Sequence, residues 1–165
     1  ARAGLARTFQ NLRLFKSLTV RENVALTTLV AARHRRHRRR PDTEVLLADA
    51  GLTEWADRQA GTLDYGNQRR LELARAAALA PEFLLLDEPT SGMSDTETMA
   101  MVESVRAVAA RIGAGVLVID HDLAFITNIS DHIVVLNEGR VLAEGTPAQV
   151  RANPLVAEAY LGTSV

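Results

Sequence analysis

Phe83-Leu84-Leu85-Leu86-Asp87-Glu88-Pro89 and, further on, Val116-Leu117-Val118-Ile119-Asp120-His121 repeat one pattern, a short apolar run that ends in charged residues. Such runs, bounded by turn-forming residues, are expected of strands buried on both faces in a parallel sheet. Between them Ser94 and Glu97 have capping-box spacing, which predicts a helix from about Asp95 to Arg111, closed by Gly113 and Gly115. Strand, helix and strand in this order predict a βαβ unit. Open α/β sheets bind ligands beyond the carboxyl ends of their strands, where Asp87, Glu88 and His121 stand. An aspartate there can hold Mg²⁺, a neighbouring glutamate can orient or deprotonate an attacking water, and a histidine can stabilise a terminal phosphate. The alternative is that polar residues simply end buried strands; the pattern alone leaves both readings open.

Working outward, Thr19 and Glu22 predict a helix starting at Val20 and running through Val24, Leu26 and Leu29 until Pro41 stops it. Asp42 caps a second, short helix that turns Val45, Leu46 and Leu47 inward, with Gly51 as its stop and Leu52 and Trp55 packing nearby. After a loop from Gly61 to Gly66, Asn67 to Ala80 is rich in strong helix formers and is ended by Pro81. Downstream, a helix is expected from Asp122 to about Asn128. Ile133–Leu136 and Val141–Ala143 form a hairpin around Asn137, Glu138 and Gly139. Thr146-Pro147 and Asn153-Pro154 each open a terminal helix.

The chain has 165 residues, 47% of them apolar, enough for one domain with a packed core and too apolar for disorder. No uncharged run approaches the roughly 20 apolar residues that cross a bilayer. The absence of cysteine excludes disulfides, thiolate metal sites and thiol catalysis. Net charge is −1, but five arginines crowd into His34–Arg40. That run reads as a solvated helix end, or as a patch for anionic lipid or for nonspecific nucleic-acid binding. Of the 19 basic residues only Lys16 is a lysine, and it follows Phe15. A G-x-x-x-x-G-K-[ST] phosphate loop is therefore not encoded in this sequence.

Five segments taken in order resemble the nucleotide-binding subunit of ATP-binding-cassette (ABC) transporters. Arg7-Thr8-Phe9-Gln10-Asn11 is similar to the family's glutamine-loop, and Leu63-Asp64-Tyr65-Gly66-Asn67-Gln68-Arg69-Arg70 to its signature sequence. Phe83 to Pro89 resembles its Walker B strand. Ser91-Gly92-Met93-Ser94-Asp95 falls where the D-loop belongs, and Val118 to Asp122 matches the switch-histidine segment. Arg2 to Val24, together with Glu144-Gly145-Thr146-Pro147, Asn153-Pro154 and Ala159-Tyr160-Leu161-Gly162, narrows the resemblance to the ATP-binding subunits of branched-chain amino acid importers.

The resemblance implies the later half of a P-loop NTPase core. The helical subdomain with the signature would occupy about residues 11–80, the half-sheet about 81–145, and a C-terminal helical extension about 146–165. It implies ATP and Mg²⁺ as cofactors. Gln10 and Asp87 would be the residues toward the metal, Glu88 would activate water and His121 would hold the γ-phosphate. Asp64, Tyr65, Gly66 and Gln68 would face the ATP of a second subunit, Gly66 through close backbone approach. Implied partners are transmembrane permease subunits and a second ATPase subunit, equal or different, with no specific nucleic acid; the place is the cytoplasmic side of the membrane, peripherally. Without a phosphate loop this polypeptide is expected to be inactive alone. An interaction module without catalysis and a non-transport ABC protein are the competing readings. Two positions depart from the family. Asp64 replaces a serine whose hydroxyl donates to phosphate, and Ser94-Asp95 replaces an Asn-Pro pair. Asp64 either repels phosphate, leaving a degenerate site in a mixed dimer, or only caps the helix that follows.

Overall fold

The computed structural model describes residues 4–8, 12–34 and 41–161, so Gln10 and Arg35 to Arg40 lie outside the described residues. The chain forms two compact units, residues 1–120 and 121–165.

In the first unit the strands β1 (Leu5–Arg7), β2 (Phe83–Asp87) and β3 (Gly115–Ile119) make a parallel sheet in the order β1-β2-β3. The register pairs Ala6 with Leu84 and Leu84 with Val116, while Asp87 lies beside Ile119. The βαβ expectation is met: α4 (Asp95–Ile112) joins β2 to β3, opened by the Ser94–Glu97 capping box and closed by Gly113 in the left-handed conformation. The expectation of burial on both faces is not. Leu84 and Leu86 are buried, whereas Phe83, Leu117 and Ile119 are about half exposed or more, as is Leu5 to a lesser degree. Alternating side chains of a strand point to opposite faces, so the sheet has one packed face and one apolar face open to solvent.

Helices α1 (Val20–His34), α2 (Thr43–Asp49) and α3 (Tyr65–Ala78) complete the unit, with short 3₁₀ turns at Thr53–Trp55 and Ala60–Thr62. The caps read from sequence are present. The Thr19 and Glu22 pair exchanges bonds of 2.7 and 3.1 Å, and Asp42 accepts from the amides of Glu44 and Val45. Helix α3 starts two residues earlier than expected, because Asp64 itself serves as its cap. Asn23 is fully buried and works as a clamp: its Oδ1 accepts from the Phe15 amide at 3.0 Å, and its Nδ2 donates to the carbonyls of Phe15 and Thr19. This single amide fastens the segment entering α1 to the helix. Helix α4 meets α2 at Ser104, whose hydroxyl lies 2.9 Å from the Ala100 carbonyl of its own helix and 3.2 Å from that of Ala50, and is tied to it by Arg111, which forks onto Asp49.

The second unit carries α5 (Leu123–Ile129), the antiparallel pair β4 (Ile133–Asn137) and β5 (Arg140–Gly145), α6 (Pro147–Arg151) and α7 (Pro154–Leu161). Glu138 and Gly139 both take positive φ, as a two-residue hairpin turn demands. Ile133, Val135 and Ala143 pack with Val150 and Val156, so the hairpin forms its own sheet and core.

The one-sided burial of the sheet has a measurable consequence. Leu84→Ala should lower the urea unfolding free energy by about 3 kcal/mol, the usual cost of emptying a core leucine site. Leu117→Ala on the open face should cost less than about 1 kcal/mol. Equal costs would show that both faces are covered.

Candidate functional site

The carboxyl rim of the sheet is held by backbone and hydroxyl contacts from three directions. The Thr8 amide donates to the Leu85 carbonyl at 3.0 Å, and the buried Thr8 hydroxyl receives the Asp87 amide at 3.4 Å. On the other side the Glu88 amide donates to the Ile119 carbonyl at 2.8 Å, extending the ladder one residue beyond β2. Glu88 has φ +45°, a left-handed conformation that costs a non-glycine residue free energy and is found disproportionately at functional sites. The turn behind it is fastened by Asp120, whose Oδ2 accepts from the Thr90 amide at 3.1 Å and from the Thr90 hydroxyl at 2.6 Å. Asp87 and Glu88 are thereby displayed side by side at the end of the central strand.

Asp87 also meets a partner that no sequence spacing suggested. Arg7 on β1 places Nη2 2.7 Å from Asp87 Oδ2. Among the described residues no group of three or more His, Cys, Asp and Glu side chains gathers into a metal cage. Mg²⁺ does not require one, since it is commonly held by one or two carboxylates together with substrate phosphates and water. A single aspartate at a half-open rim fits that mode of binding. Gln10 lies outside the described residues. His121, which follows Asp120 in the chain, opens the second unit and is exposed.

A second group of the residues picked out from sequence meets at the start of α3. Asp64 Oδ1 accepts from the Asn67 amide at 2.7 Å, and its Oδ2 accepts from Asn67 Nδ2 at 2.6 Å, so both carboxylate oxygens serve the helix cap. Gln68 donates from Nε2 to the Leu63 carbonyl at 2.8 Å. Tyr65 is exposed, yet its hydroxyl is gripped by Nε and Nη2 of the buried Arg69 at 2.9 and 2.6 Å. Gly66 packs against the first turn of α4: a Cβ there would lie 2.9 Å from Oε1 of Glu97, whose side chain would have to move aside. Glu97 is held below the ordinary glutamate range by hydrogen bonds from the backbone and hydroxyl of Ser94, with Asp64 opposing. Two carboxylates thus sit at the α3 N-terminus.

Sequence reasoning singled out Asp87, Glu88, Asp64 and Gly66, which lie at the sheet rim and at the start of α3, and gave no contact to Arg7, Thr8, Asn23 or Asp120. The Thr8, Asp120 and Arg7 contacts join residues far apart in sequence, and the strand that carries Arg7 was not read from the sequence.

A three-stranded parallel sheet with an acidic pair at its carboxyl rim and three helices inserted between its first two strands, followed in the chain by a hairpin, is an α/β core with the fold of P-loop nucleotide-binding proteins. The chain belongs to the ABC transporter family, whose pattern matches residues 1–91, and a pattern described as branched-chain amino acid ATP-binding cassette transporter matches residues 140–165. It is 43% identical to the high-affinity branched-chain amino acid transport ATP-binding protein BraF of Pseudomonas aeruginosa, over 98% of this chain and 69% of that protein. To LivG of Escherichia coli, of the same description, it is 41% identical with the same coverage. The crystal structure of MJ1267, an ATP-binding cassette of an ABC transporter in its ADP conformation, superposes with TM-score 0.73 at 26% identity, covering 96% of this chain and 68% of that one.

The cap geometry makes its own forecast. Asp64→Ala should destabilise the protein by about 1 kcal/mol in thermal or urea unfolding, as loss of a helix cap does, while Asp64→Ser should stay within a few tenths of wild type. A neutral alanine variant would mean that the carboxylate is not acting as a cap.

Proposed function

We propose that this chain is part of the ATP-binding and hydrolysing subunit of an ABC importer for branched-chain amino acids or similar small solutes. The observation that carries the reading is the display of Asp87 and Glu88 at the rim of a parallel sheet, in a chain 41–43% identical to ATP-binding proteins of that transport class. Phosphoryl transfer asks a protein mainly for positioning and charge neutralisation. Asp87 would hold Mg²⁺, which when bound offsets the charge of the transferring phosphoryl group. Glu88, whose backbone is pinned to Ile119, would orient and deprotonate the attacking water. Gln10 would contact the metal and that water, and His121 would steady the γ-phosphate.

Tyr65, Gly66 and Gln68 would belong to the face turned toward the ATP of a second ATPase subunit. Asp64 changes what that face does. Helix N-termini attract anions, but here the Asn67 amide already donates to a carboxylate and Glu97 adds another. Two unit charges 4 Å apart repel by roughly 4 kcal/mol at an effective dielectric near 20. We read this face as the weak half of a mixed dimer, opposite a competent site in the partner. The permease would receive the helical segment, with the subunit peripheral on the cytoplasmic side. No helix among the described residues is long and apolar enough to cross a membrane.

The 165-residue chain, which contains no Gly-Lys phosphate loop, should show no ATP turnover above background in a phosphate-release assay. Supplied within a complete subunit and its transporter, the same segment should support turnover that Glu88→Gln lowers by at least about a hundredfold while ATP binding persists. Turnover by the isolated chain that Glu88→Gln abolishes, or full activity of the complete Glu88→Gln subunit, would refute this reading.

A further inference from the structure

The Arg7–Asp87 pair joins β1 to the central strand at the carboxyl rim. Arg7 lies beside Leu85 in the parallel register, so Asp87 is its diagonal neighbour on the same face, within reach of a long side chain. The guanidinium is 56% exposed and the carboxylate 28% exposed. Ion pairs this accessible contribute little to stability, and the strands are already joined by their backbone ladder and by the Thr8 hydroxyl. The contact is therefore easily exchanged. It is made, however, by the carboxylate that the proposed function assigns to Mg²⁺, and a guanidinium and a divalent cation crowded onto one carboxylate repel each other.

We infer that Arg7 is a positioning residue that serves as the stand-in counter-ion of Asp87. It neutralises and orients this carboxylate while no metal-bound nucleotide is present, and Asp87 exchanges it for the nucleotide's Mg²⁺ on binding. Arg7 stands three residues before Gln10 on the same stretch of chain, so the exchange at Asp87 releases a side chain of the strand that feeds the glutamine-loop. This inference rests on the proposed function, and its test is arranged so that the two fail differently.

The complete subunit, in a Glu88→Gln background that prevents turnover, is titrated with ATP by calorimetry in the presence of Mg²⁺ and again with Mg²⁺ chelated. Arg7→Gln leaves Asp87 uncompensated against the incoming phosphates, so metal-free ATP should bind about three- to fivefold more weakly, the scale of an exposed pair. Affinity for Mg²⁺-ATP should be unchanged or slightly higher, and Arg7→Lys should restore most of the metal-free affinity. With Asp87→Asn already in place, Arg7→Gln should have no further effect; a persistent loss would show instead that Arg7 contacts phosphate directly, overturning the inference. An Mg²⁺ dependence identical in wild type and Arg7→Gln would also overturn it. Should Arg7→Gln fail to fold, the Arg7 Nε–H resonance of the unmutated subunit carries the test. It should shift with Mg²⁺-ATP but not with ATP in chelator, and no difference between the two would sink the idea. Absence of ATP binding by the parent subunit under both conditions would refute the proposed function itself.

Discussion

The backbone pairing of β2 on both sides is the constraint from which the rest of the first unit follows. Parallel ladders leave no short turn between neighbours, so each strand must be reached by a crossover, and α4 is the one between β2 and β3. Parallel alignment also brings all the carboxyl ends to one edge. Thr8, Asp87, Glu88 and Asp120 come from three separate stretches of chain, yet they bond to one another or to each other's strands at that edge. The same pairing explains why Glu88 tolerates left-handed backbone: its amide is held by Ile119 and its carbonyl by the Ser91 amide, so the turn is determined from both ends.

What could be read from the sequence was what is encoded locally. The boxes Thr19/Glu22 and Ser94/Glu97, the Asp42 cap, the Thr146-Pro147 start and the Gly113 terminus act within a single helical turn, and all appear where the spacing put them. The strands were legible because Leu84-Leu85-Leu86 and Val116-Leu117-Val118 are too short and too apolar for helices bounded by such turns. Their one-sided exposure was not legible. An unbroken apolar run reads the same whether one face or two are covered, and only the packing of the described chain distinguishes Leu84 from Leu117. The Arg7–Asp87 pair spans eighty residues, and the Asn23 clamp depends on how residues 12–18 fold back over α1. Neither is written in a local pattern.

The beginning of α3 shows how one residue can carry two incompatible demands. A helix of this length needs partners for its first amides, and Asp64 supplies one: its Oδ1 accepts from the Asn67 amide, while its Oδ2 accepts from the Asn67 side chain. The family reading asks the same spot to receive phosphate. Serine meets both needs, since its hydroxyl can accept from the helix and donate to an anion, whereas an ionised aspartate only accepts. With Asp64 the cap is kept by an acceptor that, when ionised, has no proton to donate, and Glu97 lies close beside it.

The bonds of α4 to Ala50 and Asp49 fix how this protein could be dissected. Residues from about 11 to 80 read in sequence as a helical subdomain, but the end of α2 meets a hydroxyl and a guanidinium from a helix that lies beyond β2. An engineer grafting the insert onto another scaffold would strip it of that brace unless the donor crossover travelled with it, so the smallest transplantable module runs through Ile112 and takes the central strand along.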